Sequence, residues 1–218
     1  MIDQTAPASD RPAAARAKLS IMLPHVVRRN FLPEDVVAAL IDYTVLHEAD
    51  FVPTEIRARF DPTIRVSSRL VKLGAFREII GDKIRDIVPA LIAELRVAPF
   101  QLDTLEFELV AHGDGAFYKR HIDVKTAPVR RARRSRALSA VYYFHAEPKA
   151  FSGGALRLYG IGDGAGYVDI EPVRNSLLVF PSWAPHEVTP VQCPSRRFAD
   201  SRFAINCWIH RTLSESTP

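Results

Sequence analysis

The hydrophobic pattern of the chain changes near Leu105, from helical periodicity to short strand-like runs. In the N-terminal part, apolar residues recur every three or four positions along Ala75–Leu95, which predicts an amphipathic helix. Pro89 lies inside this stretch, and we expect it to kink or divide the helix because proline has no backbone N–H. A helix is also predicted from Pro33 towards His47, because a proline followed by two acidic residues is typical of a helix start.

From Leu105 onward, short apolar and β-prone runs alternate with Gly and Pro turns, which predicts an all-β core. With the upstream helices, the pattern favours a double-stranded β-helix, that is, a jelly-roll or cupin-like fold, with the helices packed on one sheet. We expect one structural domain. It would comprise a mobile tail over residues 1–18, a mainly helical support over residues 19–100 and the β-helix core over residues 101–218.

The amino-acid composition indicates the general class of the protein and adds little else to the predicted fold. A chain of 218 residues with 47% hydrophobic and 25% charged residues can bury a sizeable core in a single globular domain. It has no apolar run of membrane-spanning length and no signal-peptide pattern at its N-terminus. Cys193 and Cys207 have no C-x-x-C spacing, which argues against a disulfide framework or a zinc ribbon. We therefore expect a soluble cytoplasmic protein without a membrane partner.

The positive charge is concentrated in one place. The net charge is +4, and five of the 29 basic residues lie in Arg130–Arg136. A solvated loop and a grip on an acidic substrate or partner are both open interpretations of this run. Because the run follows a candidate metal site, we assign Arg130, Arg131, Arg133 and Arg134 to a substrate entrance.

Three residues form a candidate metal site. His121 and Asp123 are two positions apart in a strand-like run, so both side chains can point to the same face. His186 follows a proline turn and opens a later strand-like run. Two imidazoles and one carboxylate are the ligand set of non-haem Fe(II) oxygenases, which leaves metal positions open for substrates.

Arg202 begins an apolar run that reads as a largely buried strand. Burying a guanidinium is costly unless it meets an anion, and its planar fork matches a carboxylate. An arginine at a strand end that reaches back to water is the alternative, but with the candidate metal site upstream we favour a carboxylate-bearing co-substrate.

These residues occur within a longer ordered set of motifs. From about Leu105 to Ile209 the chain resembles the 2-oxoglutarate/Fe(II) dioxygenases of the prolyl 4-hydroxylase type, including bacterial relatives of the oxygen-sensing prolyl hydroxylases. The resemblance covers about half of the chain. The matching pieces, in the family's order, are Gly113–Asp123, Leu138–Phe144, Ser152–Tyr159, Pro172–Phe180 and the segments around His186 and Arg202.

The resemblance implies Fe(II) bound by His121, Asp123 and His186, with 2-oxoglutarate and O2 as co-substrates and ascorbate as a candidate reductant. It also implies that Arg202 pairs with the distal carboxylate of 2-oxoglutarate and that Tyr143 hydrogen-bonds the same group. Tyr118 is expected to line the pocket. Alternation from Arg202 places Ala204 and Asn206 on the pocket side, and Phe203, Ile205 and Cys207 on the other side.

The chain departs from the family pattern in several places. His112 stands where relatives commonly have a tyrosine, so that contact is altered or absent. Extra residues before Arg202 make Arg196 and Arg197 rival candidates by spacing. Arg65 lies in a region that relatives often use as a lid, so we also assign it to the substrate entrance, although a plain loop is the simpler interpretation. Trp208 occupies the position of a second arginine in the nucleic-acid demethylases, so we do not expect a nucleic-acid substrate.

The implied reaction is hydroxylation of an unactivated C–H bond with release of succinate and CO2. The first substrate expectation is a prolyl residue of a peptide or protein. A free amino acid or a small biosynthetic intermediate is the alternative. A β-barrel module that binds metal or a partner without turnover is a more remote one.

Overall fold

The computed structural model describes residues 21–55, 59–124 and 133–213. The tail predicted over residues 1–18 lies outside them. Two α-helices are present in this part of the chain, α1 (Glu34–Leu46) and α2 (Phe76–Glu94). Single 3-10 turns occur at Glu48–Asp50 and Phe198–Asp200. Neither helix has the length and hydropathy needed to cross a lipid bilayer.

The described strands are numbered here in chain order. They are β1 (Val26–Arg29), β2 (Val52–Pro53), β3 (Arg65–Val66), β4 (Ser68–Leu70), β5 (Leu102–His112), β6 (Phe117–His121), β7 (Arg134–Phe144), β8 (Ser152–Gly153), β9 (Leu156–Tyr159), β10 (Tyr167–Ile170), β11 (Ser176–Pro181), β12 (His186–Val188), β13 (Val191–Gln192) and β14 (Arg202–Thr212).

Two antiparallel sheets form the core. The larger sheet has seven strands in the order β1-β11-β7-β14-β5-β4-β2, and the smaller has five in the order β10-β9-β12-β6-β3. A two-stranded ribbon, β13-β8, completes the described pairing. The strands at the middle of each sheet come from distant parts of the chain, as in a double-stranded β-helix. The predicted fold class is confirmed.

The helices cover one face of the seven-stranded sheet. Ile80, Ile84 and Leu91 of α2 and Leu40 of α1 belong to one buried cluster with the outward-facing side chains of β5, β7 and β14. This packing follows from the apolar stripe of α2, because a helix with one apolar face must bury that face. The prediction that the helices pack on one sheet is confirmed.

Two features of the N-terminal half add detail to the sequence predictions. Helix α2 runs through Pro89 without a break, so the proline does not divide it. The described part of the region from residue 19 to 100 contains, besides the two helices, strands β1 to β4, which join the two sheets. These strands are short and depend on partners far away in the sequence, such as Val179 opposite Val26.

Strand β14 separates the helix-covered core from the interior between the sheets. Successive side chains of β14 point to opposite faces, as the sequence predicts. Phe203, Ile205 and Cys207 lie in the cluster beneath the helices. Arg202 and Asn206 line a cavity on the opposite face, where Ala204 packs in the cluster between the sheets.

Candidate metal centre and active site

A cavity of about 680 Å³ lies between the two sheets. Strands β5, β7 and β14 supply one wall, and strands β6, β9 and β12 supply the other. The three candidate metal ligands and Arg202 all line this cavity. The fold therefore brings together residues that are up to 81 positions apart, from His121 to Arg202.

Cross-strand pairing places the two histidines next to each other. His121 at the end of β6 is directly opposite His186 at the start of β12, and their ring centroids are 4.2 Å apart. One potential ligand atom from each of His121, Asp123 and His186 lies within 4.8 Å of the others.

Asp123 reaches the cluster in a way that the sequence did not predict. Strand β6 ends at His121, so Asp123 lies in a bend and not on the same strand. Its backbone N–H donates a hydrogen bond of 2.9 Å to the carbonyl of Ser182. The bend, pinned by this bond, places the carboxylate beside the imidazoles.

The backbone fixes which nitrogen of each imidazole faces the cluster. Nδ1 of His121 lies 2.8 Å from the carbonyl oxygen of Lys119, and Nδ1 of His186 lies 2.9 Å from that of Ala184. A carbonyl only accepts, so each Nδ1 carries the proton and each Nε2 presents a lone pair. Nε2 of His121 and Nε2 of His186 are 3.6 and 3.7 Å from the two carboxylate oxygens of Asp123.

The carboxylate of Asp123 is oriented by serine hydroxyls. Ser139 Oγ on β7 donates a hydrogen bond of 2.6 Å to Asp123 Oδ2, and Ser182 Oγ lies 2.9 Å from Ser139 Oγ. The sequence did not reveal these two serines as site residues. Ser139 is a small polar residue within an apolar strand, which is the only signal that could have suggested it.

The ionisation states suit a divalent metal. Burial lowers the pKa of His186 to about 4, although the charge of Asp123 opposes the shift. Burial raises the pKa of Asp123, but its interactions with His121 and His186 and the hydrogen bond from the Ser139 hydroxyl together hold it well below its usual range. Neutral His186 and ionised Asp123 are the metal-binding forms, and nitrogen ligands anchored through their second nitrogen are typical of metal sites. The donor set therefore fits Fe(II).

Arg202 is 1% exposed and is held by neutral groups. Its Nε donates to the carbonyl of Gly154 at 2.7 Å, and its Nη1 donates to His112 Nδ1 at 3.2 Å. A Cβ at Gly154 would lie 2.6 Å from Arg202 Cδ, so only glycine allows this approach. The rivals Arg196 and Arg197 lie on the surface, where they pair with Asp114 at 3.4 Å and Asp200 at 2.8 Å.

The remaining predicted pocket residues surround these groups. The Tyr143 ring lies 4.9 Å from the Arg202 guanidinium carbon, and burial raises the pKa of Tyr143 to about 12. Its hydroxyl is buried without a hydrogen-bond partner among the described residues. Tyr118 stacks on His121 with ring centroids 3.6 Å apart. Asn206 Nδ2 lies 3.5 Å from Glu108 Oε2.

The residues assigned to the entrance differ in their placement. Arg130 and Arg131 lie outside the described residues. Arg133 is exposed, and Arg134 begins β7 with its Nη1 3.7 Å from Asp103. Arg136 also lies in β7, where it binds Glu106 at 2.8 Å and donates to the Asp123 carbonyl at 3.2 Å. The basic run is therefore not a loop throughout.

Arg65 was predicted to lie in a plain loop, and this is wrong. It belongs to β3, which pairs with β6 beside Tyr118. Its Nη2 lies 3.3 Å from Glu108 Oε2, and its guanidinium carbon lies 4.7 Å from the centre of the Tyr118 ring. It lines the cavity as a buried, paired cation.

Comparison with known proteins agrees with this site. A sequence model described as the 2OG-Fe(II) oxygenase superfamily matches residues 107–210, which include the three candidate ligands and Arg202. The chain belongs to the 2OG-Fe(II) oxygenase superfamily. The description of this superfamily names Fe(II) and 2-oxoglutarate, which agrees with the donor set of the three candidate ligands.

Individual relatives of this oxygenase fall in the hydroxylase branch. An uncharacterised PKHD-type hydroxylase of Synechocystis is 40% identical over 153 residues, which span 66% of this chain and 48% of that relative. The match thus spans about half the length of the relative. A prolyl-4-hydroxylase of Pseudomonas putida is similar in structure, with a TM-score of 0.64 and 26% identity over 88% of this chain and 94% of that chain.

A more distant structure shares the fold. A prolyl hydroxylase from Trichoplax adhaerens, solved with a peptide fragment of the hypoxia inducible factor oxygen degradation domain, has a TM-score of 0.61 and 22% identity. The matched region covers 85% of this chain and 83% of that one. This likeness shows that the two chains share a fold.

Proposed function

We propose that this oxygenase hydroxylates a prolyl residue of a peptide or protein. One oxygen atom of O2 enters the substrate C–H bond, and the other enters succinate, which forms from 2-oxoglutarate with loss of CO2. The observation that carries the proposal is the pairing of a His121–Asp123–His186 cluster with the buried cation Arg202 in one cavity. The similarity to the Pseudomonas prolyl-4-hydroxylase supports the choice of a prolyl substrate.

His121, Asp123 and His186 would hold the Fe(II). When bound, the iron supplies the O2 activation and C–H oxidation that amino-acid side chains cannot perform. The chain itself sets the ligand geometry through two backbone carbonyls, the Ser182 carbonyl and the Ser139 hydroxyl. Three protein ligands leave other metal positions free for the co-substrates.

Arg202 would bind the distal carboxylate of 2-oxoglutarate. With Nε and Nη1 held by Gly154 and His112, its Nη2 makes no hydrogen bond to the described residues. A guanidinium that keeps a free N–H group in a buried setting is a strong carboxylate binder. The Tyr143 hydroxyl, buried close to Arg202, is a second donor for this carboxylate.

Substrate would enter over the wall formed by the outer ends of β5, β7 and β14. Arg136 lies 3.8 Å above the Trp208 ring there, and His210 Nε2 lies 2.9 Å from Glu106 Oε2. This wall presents an aromatic surface and polar groups that can orient a peptide backbone. The adjoining basic run would contribute to this entrance.

A second candidate substrate is a free amino acid. The cavity wall carries opposite charges close together, because Glu108 lies within 3.3 Å of Arg65 and 3.8 Å of Arg69. Such a wall can match both the ammonium and the carboxylate of an amino acid. Hydroxylation of a small biosynthetic intermediate belongs to the same class.

The test is a substrate screen with reconstituted enzyme. The protein is loaded with Fe(II) without oxygen, supplied with 2-oxoglutarate and then with O2, together with prolyl peptides, their alanine counterparts or free amino acids. We expect stimulated succinate release and a product heavier by one oxygen atom with prolyl peptides only. Stimulation by free amino acids and not by peptides would reverse the substrate assignment.

A further inference from the structure

The cavity contains two deeply buried arginines, which differ in whether a carboxylate of the described residues balances their charge. Arg65 is 7% exposed and pairs with the carboxylate of Glu108 at 3.3 Å. Arg202 is more deeply buried, at 1% exposure, yet no carboxylate of residues 21–55, 59–124 and 133–213 lies within ion-pair distance of it. A buried charge without a counterion is costly, so its retention calls for an explanation.

One of the groups that hold Arg202 is the side chain of His112. It lies on β5 directly opposite Arg202 on β14, and it is itself buried. A guanidinium only donates, so the contact of 3.2 Å from Arg202 Nη1 requires a lone pair on His112 Nδ1. The proton of the neutral ring then resides on Nε2.

The surroundings of His112 favour this neutral form. Its Nε2 is buried and has no hydrogen-bond partner in the described part of the chain, and a second ring proton would have to reside on Nδ1, which faces the Arg202 guanidinium. Burial, followed by the charges of Arg202 and Arg65, holds the pKa of His112 well below its usual range. The imidazole is therefore an acceptor without charge.

We propose that His112 is a positioning residue that fixes Arg202 through a neutral acceptor, so that the full charge of Arg202 is left for the distal carboxylate of the co-substrate. The inference rests on the proposed function, in which Arg202 binds 2-oxoglutarate. His112 acts through Arg202, and its neutrality matters as much as its contact. Gly154 serves the same purpose with its carbonyl, because it holds Nε without supplying a counterion.

The proposed role predicts different effects for asparagine and aspartate at position 112, whereas a purely structural role does not. Asparagine at position 112 places an uncharged oxygen near the position of Nδ1, and aspartate places a charged oxygen there with the same shape. If His112 merely packs or tethers, the two variants are equivalent, or aspartate is better because it adds an ion pair. If neutrality matters, aspartate neutralises Arg202 and competes with the co-substrate.

The experiment measures ligand binding to anaerobic Fe(II)-loaded protein. Dissociation constants are determined for 2-oxoglutarate and for oxalate, which chelates metal but has no distal carboxylate. We expect His112→Asn to bind 2-oxoglutarate within about threefold of wild type and His112→Asp to bind it at least about tenfold more weakly, the direction expected when a buried charge pair is lost. Oxalate should bind all three proteins equally, and their melting temperatures report folding.

Equal binding of 2-oxoglutarate by the Asn and Asp variants would overturn the inference, as would an equal loss in both. Should the Asp variant fail to fold, His112→Gln and His112→Glu form a second matched pair, because they too differ in charge and hardly in shape. Weaker 2-oxoglutarate binding by the Glu variant than by the Gln variant then supports the inference, and equal binding overturns it. A wild-type protein that binds oxalate but does not bind 2-oxoglutarate would instead overturn the proposed function itself.

Discussion

Arg202 is the residue on which co-substrate affinity depends most in this site. It is buried, it forms no ion pair with a carboxylate of the described residues, and it lies in the same cavity as the three candidate ligands. No combination of the surrounding neutral groups can replace its charge. The same reasoning makes the surface arginines near it irrelevant to 2-oxoglutarate.

The first prediction is that Arg202→Ala raises the KM for 2-oxoglutarate far more than the KM for the prime substrate. Losing a buried, charge-assisted carboxylate contact costs about 2–5 kcal/mol. Arg196→Ala is the matched control, because that side chain lies on the surface, where it pairs with Asp114. Steady-state kinetics check this, and a larger effect from Arg196→Ala would refute the assignment of Arg202.

Ser139 yields a second prediction at the same scale. Its hydroxyl orients the Asp123 carboxylate at 2.6 Å, so Ser139→Ala should weaken Fe(II) binding by about 10–100-fold, as is usual for groups that hold metal ligands. Ser135→Ala on the same strand, whose hydroxyl contacts Arg211, is the control. Anaerobic metal titration measures both affinities, and an unchanged affinity in the Ser139 variant would contradict the role.

Individual residues differ in how far the sequence could identify them. His121, Asp123, His186 and Arg202 could be proposed because their side-chain chemistry is unusual in apolar or strand-like surroundings. The contact between His112 and Arg202 could not, because it depends on the register of β5 against β14. The bend that carries Asp123 was also missed, because it is fixed by a hydrogen bond to Ser182 and local sequence propensity does not predict it.

At the scale of elements, α2 supports the sheet that carries the site. Ile84 is fully buried against that sheet, whereas Ile79 on the same helix is 38% exposed. The third prediction is that Ile84→Ala lowers the free energy of unfolding by about 2–5 kcal/mol and that Ile79→Ala lowers it much less. Urea denaturation measures both values. Equal losses would show that the helix does not pack as described.

Periodicity identified α2, and a helix-start signal identified α1, because both kinds of signal are encoded locally. Strands β1 to β4 were not identified, since each has two to four residues and gains its stability from partners elsewhere in the chain. The continuity of α2 through Pro89 has the same origin. The buried apolar face of the helix holds it together across the missing N–H.

At the scale of the whole molecule, two sheets assemble one cavity from separate strands. The family resemblance predicted this architecture, because its motifs recur in a fixed order along the chain. Periodicity alone indicated short strands and not their order. The pairing of β6 with β12, which brings His121 to His186, follows only from the complete topology.

The basic run offers a prediction at this scale. Neutralising Arg130, Arg131, Arg133 and Arg134 should leave Fe(II) binding and substrate-free consumption of 2-oxoglutarate within about twofold of wild type, while weakening prime-substrate binding in a salt-dependent manner. Kinetics at low and high salt check this. Unchanged substrate kinetics under both conditions would reduce the run to a solvated surface feature.

The central claim is that His121, Asp123 and His186 bind the iron that turns over 2-oxoglutarate. The most direct measurement is bound Fe(II) and succinate formation in wild type, His186→Ala and the control His47→Ala, whose side chain lies at the end of α1. We predict one Fe(II) per chain and succinate formation in wild type and the control, and loss of both in His186→Ala, because two remaining ligands cannot complete the site. Stoichiometric Fe(II) and full turnover in His186→Ala would contradict the account.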